Sequence, residues 1–214
     1  MKPTYIHRLI EQGEHQTQDF KFEISDSRKI AKTFVAFANT DGGRLLIGVK
    51  DNGTLKGVRS MEEYYMAEAG AAMYSSPAVE FESREWNVEG KKILEITIPE
   101  GVNKPYFAEN EDGKWLAYVR VDDQNILANR VWVNAWKRKQ KPEGTYIHYT
   151  EKERLLLEYL EENDFITVTK FRKISGLSRY KAENILTNFL ALDLIEIIFS
   201  EKGVVYRLSG DFYE

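Results

Sequence analysis

Residues Phe34-Val-Ala-Phe-Ala-Asn-Thr-Asp-Gly-Gly-Arg-Leu-Leu-Ile-Gly-Val-Lys-Asp-Asn-Gly-Thr-Leu-Lys-Gly57 read as a helix, a glycine turn, a buried strand and a tight turn. Apolar Ile30, Phe34 and Phe37 recur at helical spacing, Ser25 to Ser27 offers capping side chains, and Asn39-Thr-Asp-Gly-Gly43 ends the helix where glycine can take positive φ. Leu45-Leu-Ile-Gly-Val49 is a short apolar run of the fully buried kind. Asp51-Asn-Gly53 then supplies a turn whose central positions tolerate left-handed geometry.

Upstream, Tyr5, Ile6, Leu9 and Ile10 form an amphipathic pattern. The chain's beginning lacks the apolar core of a signal peptide, and no run of about 18 apolar residues exists that would span a membrane. A cytoplasmic location with no membrane partner is expected. Downstream, a helix is expected over Met61 to Met73, followed by strands over Ala78 to Val88, Lys92 to Ile98 and Trp115 to Val121, the first two joined at Glu89-Gly90. Another helix-like stretch runs from near Gln124 into Trp136-Lys-Arg-Lys-Gln-Lys141. Trp86, Trp115, Trp132 and Trp136 are read as core or helix-packing residues. The fold class is α+β, with a mixed, mostly antiparallel sheet and helices in the first domain.

Pro142-Glu-Gly-Thr145 breaks any helix. It divides the chain into a domain over residues 1–140, a linker over 141–148 and a smaller domain over 149–214. In the latter, Thr150 and Glu153 form a capping box ahead of Leu156, Leu157 and Leu160. A short helix over Thr169 to Ile174, the turn Ser175-Gly-Leu-Ser178 and a helix burying Ala182, Ile185, Leu186 and Phe189 follow. Leu194 to Phe199 and Val204 to Leu208 flank Ser200-Glu-Lys-Gly203 as a hairpin. Helix, helix-turn-helix and hairpin in that order resemble a winged helix, whose second turn-linked helix enters the DNA major groove.

The chain of 214 residues has net charge -4 and no cysteine, so thiolate zinc sites and cysteine nucleophiles are excluded. Residues 1–142 hold 21 acidic and 21 basic groups and residues 143–214 hold 13 and 9, so local patches decide what is bound. Lys170, Arg172, Lys173, Arg179 and Lys181 lie in a window, Phe165 to Ala182, that has no acidic residue. They are candidate phosphate contacts. Asn184 and Asn188, one helical turn apart, are candidates for contact with base edges, against the plainer reading of solvent-facing polar residues. The basic run before Pro142 reads either as favourable charge at a helix C-terminus or as a phosphate contact.

Four segments in order resemble the Schlafen-type Alba-like (AlbA_2) domain, a module associated with DNA binding. Ala36-Phe-Ala-Asn-Thr-Asp-Gly-Gly43 with Ile47-Gly-Val-Lys-Asp-Asn-Gly53 matches the hallmark, and Glu14-His-Gln-Thr-Gln-Asp-Phe-Lys21 resembles its E-x4-E-F-K element. Lys104-Pro-Tyr-Phe107 and Tyr118-Val-Arg-Val121 resemble its closing K-P-x-Y and Y-x-R segments. The resemblance spans roughly residues 5–130; together with the winged-helix-like second domain it implies a DNA-binding transcriptional regulator acting on nucleic acid, in the first place duplex DNA, and since winged-helix regulators are commonly dimeric a homodimer is a reasonable expectation.

Some Schlafen relatives are metal-dependent ribonucleases, and the positions that align with their carboxylates are Glu14, Asp19 and Asp51. If those three form a catalytic set, they would hold Mg2+ or Mn2+, since hard cations prefer oxygen. Asp19 stands where the family has glutamate, one methylene longer, and Asp51 has a local role in its turn. Lys21, at alternating strand spacing from Asp19, either neutralises it or binds phosphate. Without the nuclease set, no cofactor is expected. ATP hydrolysis is not expected, because Gly42-Gly43 leaves a helix and enters a strand, the reverse of a phosphate-cradling loop, and no G-x4-G-K-[ST] motif exists. A protein-interaction or dimerisation module is a further alternative.

Overall fold

The computed structural model describes residues 4–142, 144–200 and 202–210; of the expected linker and hairpin turn, Glu143 and Glu201 lie outside the described residues. The chain divides between Ala128 and Asn129 into two units.

The first unit begins with helix α1 (Tyr5–Gln12), which buries Ile6 and Leu9, and strand β1 (Gln18–Lys21). Helix α2 (Ser27–Asn39) starts where Asp26, within the Ser25 to Ser27 stretch read as its cap, accepts from the N–H groups of Arg28 and Lys29. A carboxylate there also meets the positive end of the helix dipole. Strand β2 (Gly43–Ile47) returns beneath this helix, and helix α3 (Glu62–Ala72) packs against α2. Strands β3 (Ser75–Ser76), β4 (Glu82–Val88), β5 (Lys91–Ile98), β6 (Phe107–Glu109), β7 (Trp115–Leu116), β8 (Tyr118–Val121) and β9 (Gln124–Leu127) complete the unit.

The main sheet has the order β1-β2-β5-β4, with β1 and β2 parallel and the other pairs antiparallel. The expected α+β class, with a mixed sheet dominated by antiparallel pairs, is what the chain adopts. Alternation along the strands sends Leu45, Ile47, Leu94, Ile96 and Ile98 to the core beneath α2, and Phe20, Leu46, Val88 and Ile93 to the core beneath α1. Glu89 and Gly90 join β4 to β5, both with positive φ (53° and 75°), as a two-residue hairpin turn requires.

Several details differ from the sequence reading. The stretch from Gln124 starts as β9, and helix begins only at Arg130, where Asn129 accepts from the Trp132 N–H. The strand expected over Trp115 to Val121 is split into β7 and β8, which belong to different sheets. Trp115 therefore lies on a short edge strand and is 44% exposed, whereas Trp132 is buried.

The second unit contains α4 (Arg130–Lys139), α5 (Glu151–Glu162), α6 (Val168–Ser175), α7 (Arg179–Ala191) and the antiparallel pair β10 (Ile195–Ser200) and β11 (Gly203–Leu208). Its core gathers Leu156, Leu160, Ile166, Phe171, Leu186, Phe189 and Tyr206, together with Val131 from α4. Because Val131 enters this core and α4 packs along α7, α4 belongs to the second unit, although Pro142 had placed it at the end of the first. Asn129 Nδ2 donates to the buried Tyr206 hydroxyl at 2.8 Å, and burial holds that phenol's pKa above the ordinary tyrosine value.

Candidate functional site

The glycine and asparagine positions of the hallmark stretch are explained by packing. Gly42 takes φ 69°, and a Cβ there would sit 2.7 Å from the Ile98 carbonyl oxygen; a Cβ on Gly43 would lie 2.4 Å from the Phe37 ring. Strand β2 thus reaches both α2 and β5 only because neither residue has a side chain. Asn39, buried at the end of α2, donates to the carbonyls of Tyr106 (2.9 Å) and Tyr118 (2.8 Å) and accepts from the Tyr106 N–H (2.8 Å). Buried Lys104 donates to the Thr40 carbonyl at 3.1 Å and pairs with Glu100 at 2.6 Å. The residues of three motif segments are therefore partners of one another.

The fourth segment leads to a polar cluster. Strand β1 pairs with β2 through Asp19 opposite Leu45 and Lys21 opposite Ile47, which places Asp19 and Lys21 on the α2 side of the sheet. Asp19 is 3% exposed and Arg120, from β8, is 2% exposed; they pair at 3.3 Å. The Arg120 guanidinium also donates to the carbonyls of Gln18 (3.2 Å) and Asp122 (3.1 Å) and to Asn125 Oδ1 (3.1 Å), and stacks over the Phe37 ring. Lys21 Nζ lies 2.8 Å from the second Asp19 oxygen in a contact too bent to be a good hydrogen bond, and it donates to the Phe20 carbonyl.

Glu14 completes the cluster, accepting from the Phe20 N–H at 2.9 Å. Partial burial, and then its hydrogen bond to Asp19, push the Glu14 carboxyl up to about 7 against an ordinary 4.5. Two carboxyl groups thus share a small space with two cations, Arg120 and Lys21.

Glu14 and Asp19 lie in one neighbourhood. Asp51 occupies an exposed turn whose Gly53 abuts Ile10 of α1, and it has its own local setting. Among the described residues no three or more His, Cys, Asp or Glu side chains are arranged to hold a metal ion. A cation would also have to displace Arg120 and Lys21 from Asp19. The donor set present does not fit Mg2+ or Mn2+.

In the second unit, Lys170, Arg172, Lys173, Arg179 and Lys181 are all exposed. Arg172 and Lys173 close α6 and Arg179 and Lys181 open α7, on either side of a turn at Gly176, φ 67°. Arg179 pairs with Glu183 one turn along its own helix at 2.7 Å, and Lys170 lies over the Tyr159 ring. Asn184 and Asn188 are placed differently from the expectation. Both side-chain oxygens accept from Arg138 of α4, so these amides face a neighbouring helix instead of open solvent. The sequence reading missed Arg120 and Arg138 as organising residues. Arg120 was visible only as part of a motif and Arg138 only as part of a basic run.

Residues 14–129 match the family model for the Schlafen AlbA_2 domain, and the chain belongs to that family. No curated protein matches the chain. Among solved structures it is similar to the DIP2311 protein of Corynebacterium diphtheriae, at 18% identity and TM-score 0.48 over 91% of this chain. The chain spans 38% of the length of that structure. It is also similar to the N-terminal domain of a putative ATP-dependent DNA helicase RecG-related protein from Nitrosomonas europaea, at 23% identity and TM-score 0.40 over 58% of this chain and 92% of the other. No described helix is long and apolar enough to cross a membrane.

Proposed function

We propose that this protein is a DNA-binding transcriptional regulator whose second unit is a winged helix: α5, the α6-turn-α7 pair and the β10-β11 hairpin follow the order of that motif. The observation that carries the reading is the set of five exposed basic side chains around the turn, of which Arg179 has a carboxylate partner on its own helix. Such a cluster neutralises phosphates and releases counterions, so binding weakens with salt. The -4 balance of residues 143–214 opposes long-range attraction, yet the local field at the turn stays positive because no acidic residue lies between Phe165 and Ala182.

The AlbA_2 unit adds the family's association with DNA. Lys21 is largely committed to Asp19 and the Phe20 carbonyl, so the turn of the second unit carries the larger share of phosphate contact. Base reading falls to the exposed start of α7, where Tyr180 is 70% exposed beside Arg179 and Lys181, because Asn184 and Asn188 are held by Arg138. A homodimer would present two such units to half-sites roughly 34 Å apart.

Fluorescence anisotropy with labelled duplex DNA tests this reading. Salt-sensitive binding that weakens in the Arg179→Ala/Lys181→Ala double variant is expected. Absence of binding at low ionic strength, or divalent-dependent RNA cleavage abolished by Glu14→Ala, would overturn it, and a tight partner complex without nucleic-acid binding would favour an interaction module.

A further inference from the structure

Helices α4 and α7 enclose a cleft of about 330 Å³ inside the second unit, with Arg130, Lys137, Arg138, Lys141, Glu183 and Asn184 among its lining residues. Four of these are basic and one is acidic, and the single carboxylate, Glu183, is already paired with Arg179. The charge at the end of α4 is not fully explained by the helix dipole. Lys139, in the same run, turns to Asp193 and to the Trp136 ring, as a surface cation does. Arg138 turns the other way. Its guanidinium enters the cleft, where its acceptors are the neutral oxygens of Asn184 and Asn188 and the Asn184 backbone carbonyl.

A partly buried guanidinium whose hydrogen-bond acceptors are neutral dipoles has lost some solvation without gaining a paired counter-charge. That cost appears as an Arg138 pKa held below the ordinary arginine value by burial. The fork is also immobilised, because both asparagines grip it, so its remaining N–H directions are set in advance. A tetrahedral oxyanion suits this arrangement: it meets a planar donor fork with further cations at the rim, and the neutral amides impose no repulsion. Carboxylates suit the fork equally, but a phosphate group with charge on several oxygens engages the fork and the rim cations together.

We propose that the α4–α7 cleft is a phosphate-binding site organised by Arg138. Assigning the phosphate to the backbone of a bound duplex rests on the winged-helix reading; a free phosphorylated ligand offers the same chemistry. In the duplex case α4 becomes part of the DNA-binding surface, clamping the backbone beside α7 while the start of α7 meets the groove.

Two measurements on the full chain separate these possibilities. In the first, anisotropy with a labelled duplex is followed from low to physiological salt for the wild type, Arg138→Gln, and the Arg130→Ala/Lys141→Ala pair of exposed rim residues. The logarithmic salt slope should flatten by about one for each lost phosphate contact. In the second, inorganic phosphate and pyrophosphate are titrated while the NMR signals of the Arg138 Nε–H and the Asn184 and Asn188 side-chain amides are recorded. Saturable shifts there, lost in Arg138→Gln, establish the phosphate site.

Flattened slopes together with those shifts support the duplex as the source. Shifts without any effect on duplex binding keep the site but assign it to a free phosphorylated ligand. If duplex DNA does not bind at all while phosphate still titrates, the winged-helix reading fails and the site stands. No phosphate shifts and unchanged slopes in the rim variant overturn the inference, even where Arg179→Ala/Lys181→Ala still weakens the duplex. The rim variant and the phosphate titration of the wild type decide the matter should Arg138→Gln fail to fold.

Discussion

The carboxyl of Glu14, which accepts from the Phe20 N–H at 2.9 Å, stands close enough to Asp19 for that carboxylate to raise its pKa, and this proximity joins the loop before β1 to the strand itself. Two acidic groups tolerate such proximity when one of them keeps its proton, which is the state that the raised Glu14 pKa favours near neutrality.

A dependence of stability on pH follows. The Glu14 carboxyl titrates at about 7 in the folded chain against an ordinary 4.5, so between those values the folded state binds a proton that the unfolded state has released. Stability should therefore fall as pH rises from about 4.5 to about 7 and level off above it. Glu14→Gln retains a donor towards Asp19 and cannot ionise. Urea melts at pH 5 and pH 8 should show a smaller pH-dependent loss in the variant, by about 1 kcal/mol once the group's partial exposure is allowed for.

Arg120 is the residue that makes Asp19 tolerable in the interior. Arg120→Ala would leave that carboxylate buried with only the bent Lys21 contact, and would free the Gln18 and Asp122 carbonyls as well. Removing one partner of a buried pair costs about 3–5 kcal/mol. Chemical denaturation should show a loss of unfolding free energy of that size, and Arg120→Lys should recover only part of it, since an ammonium cannot span the same acceptors.

Asn39→Ala should destabilise the first unit without touching its surface. It deprives the Tyr106 N–H and the Tyr106 and Tyr118 carbonyls of their partner, at about 1–3 kcal/mol for each buried group left unsatisfied. Hydrogen exchange at the Tyr106 amide should quicken markedly, which distinguishes this loss from a general loosening of the core.

Gly42→Ala should be more damaging than Gly43→Ala. At Gly42 the new Cβ meets backbone of the β5 edge and φ is 69°, so strain and overlap combine, whereas at Gly43 the obstacle is the Phe37 ring. Overpacking of this kind costs about 1–3 kcal/mol, and thermal melts of the two variants give the comparison.

Charge removal at the turn should act on binding alone. Lys170, Arg172, Lys173 and Lys181 are exposed, so single alanine variants should melt within about 0.5 kcal/mol of the parent. Each that contacts phosphate should reduce the salt slope of duplex binding by about one.

Much of the fold was legible before any coordinates. Helix α2, the glycine turn, strand β2, the Glu89-Gly90 hairpin turn and the capping box at Thr150 depend on residues close together in the chain, and such local signals survive folding unchanged. The split between β7 and β8 and the strand at Gln124 were hidden because short strands take their identity from partners elsewhere.

The same division holds for function. The order of residues by itself determined the family and the basic character of the α6–α7 turn, because motif spacing and local composition are properties of the chain. Only the tertiary structure decided that Arg120 neutralises Asp19, that Asp51 stands in a separate turn, and that Arg138 occupies Asn184 and Asn188. Those contacts join residues up to 101 positions apart, and they arise where the Arg120 side chain reaches from β8 to β1 and where α4 packs along α7, which no local pattern encodes.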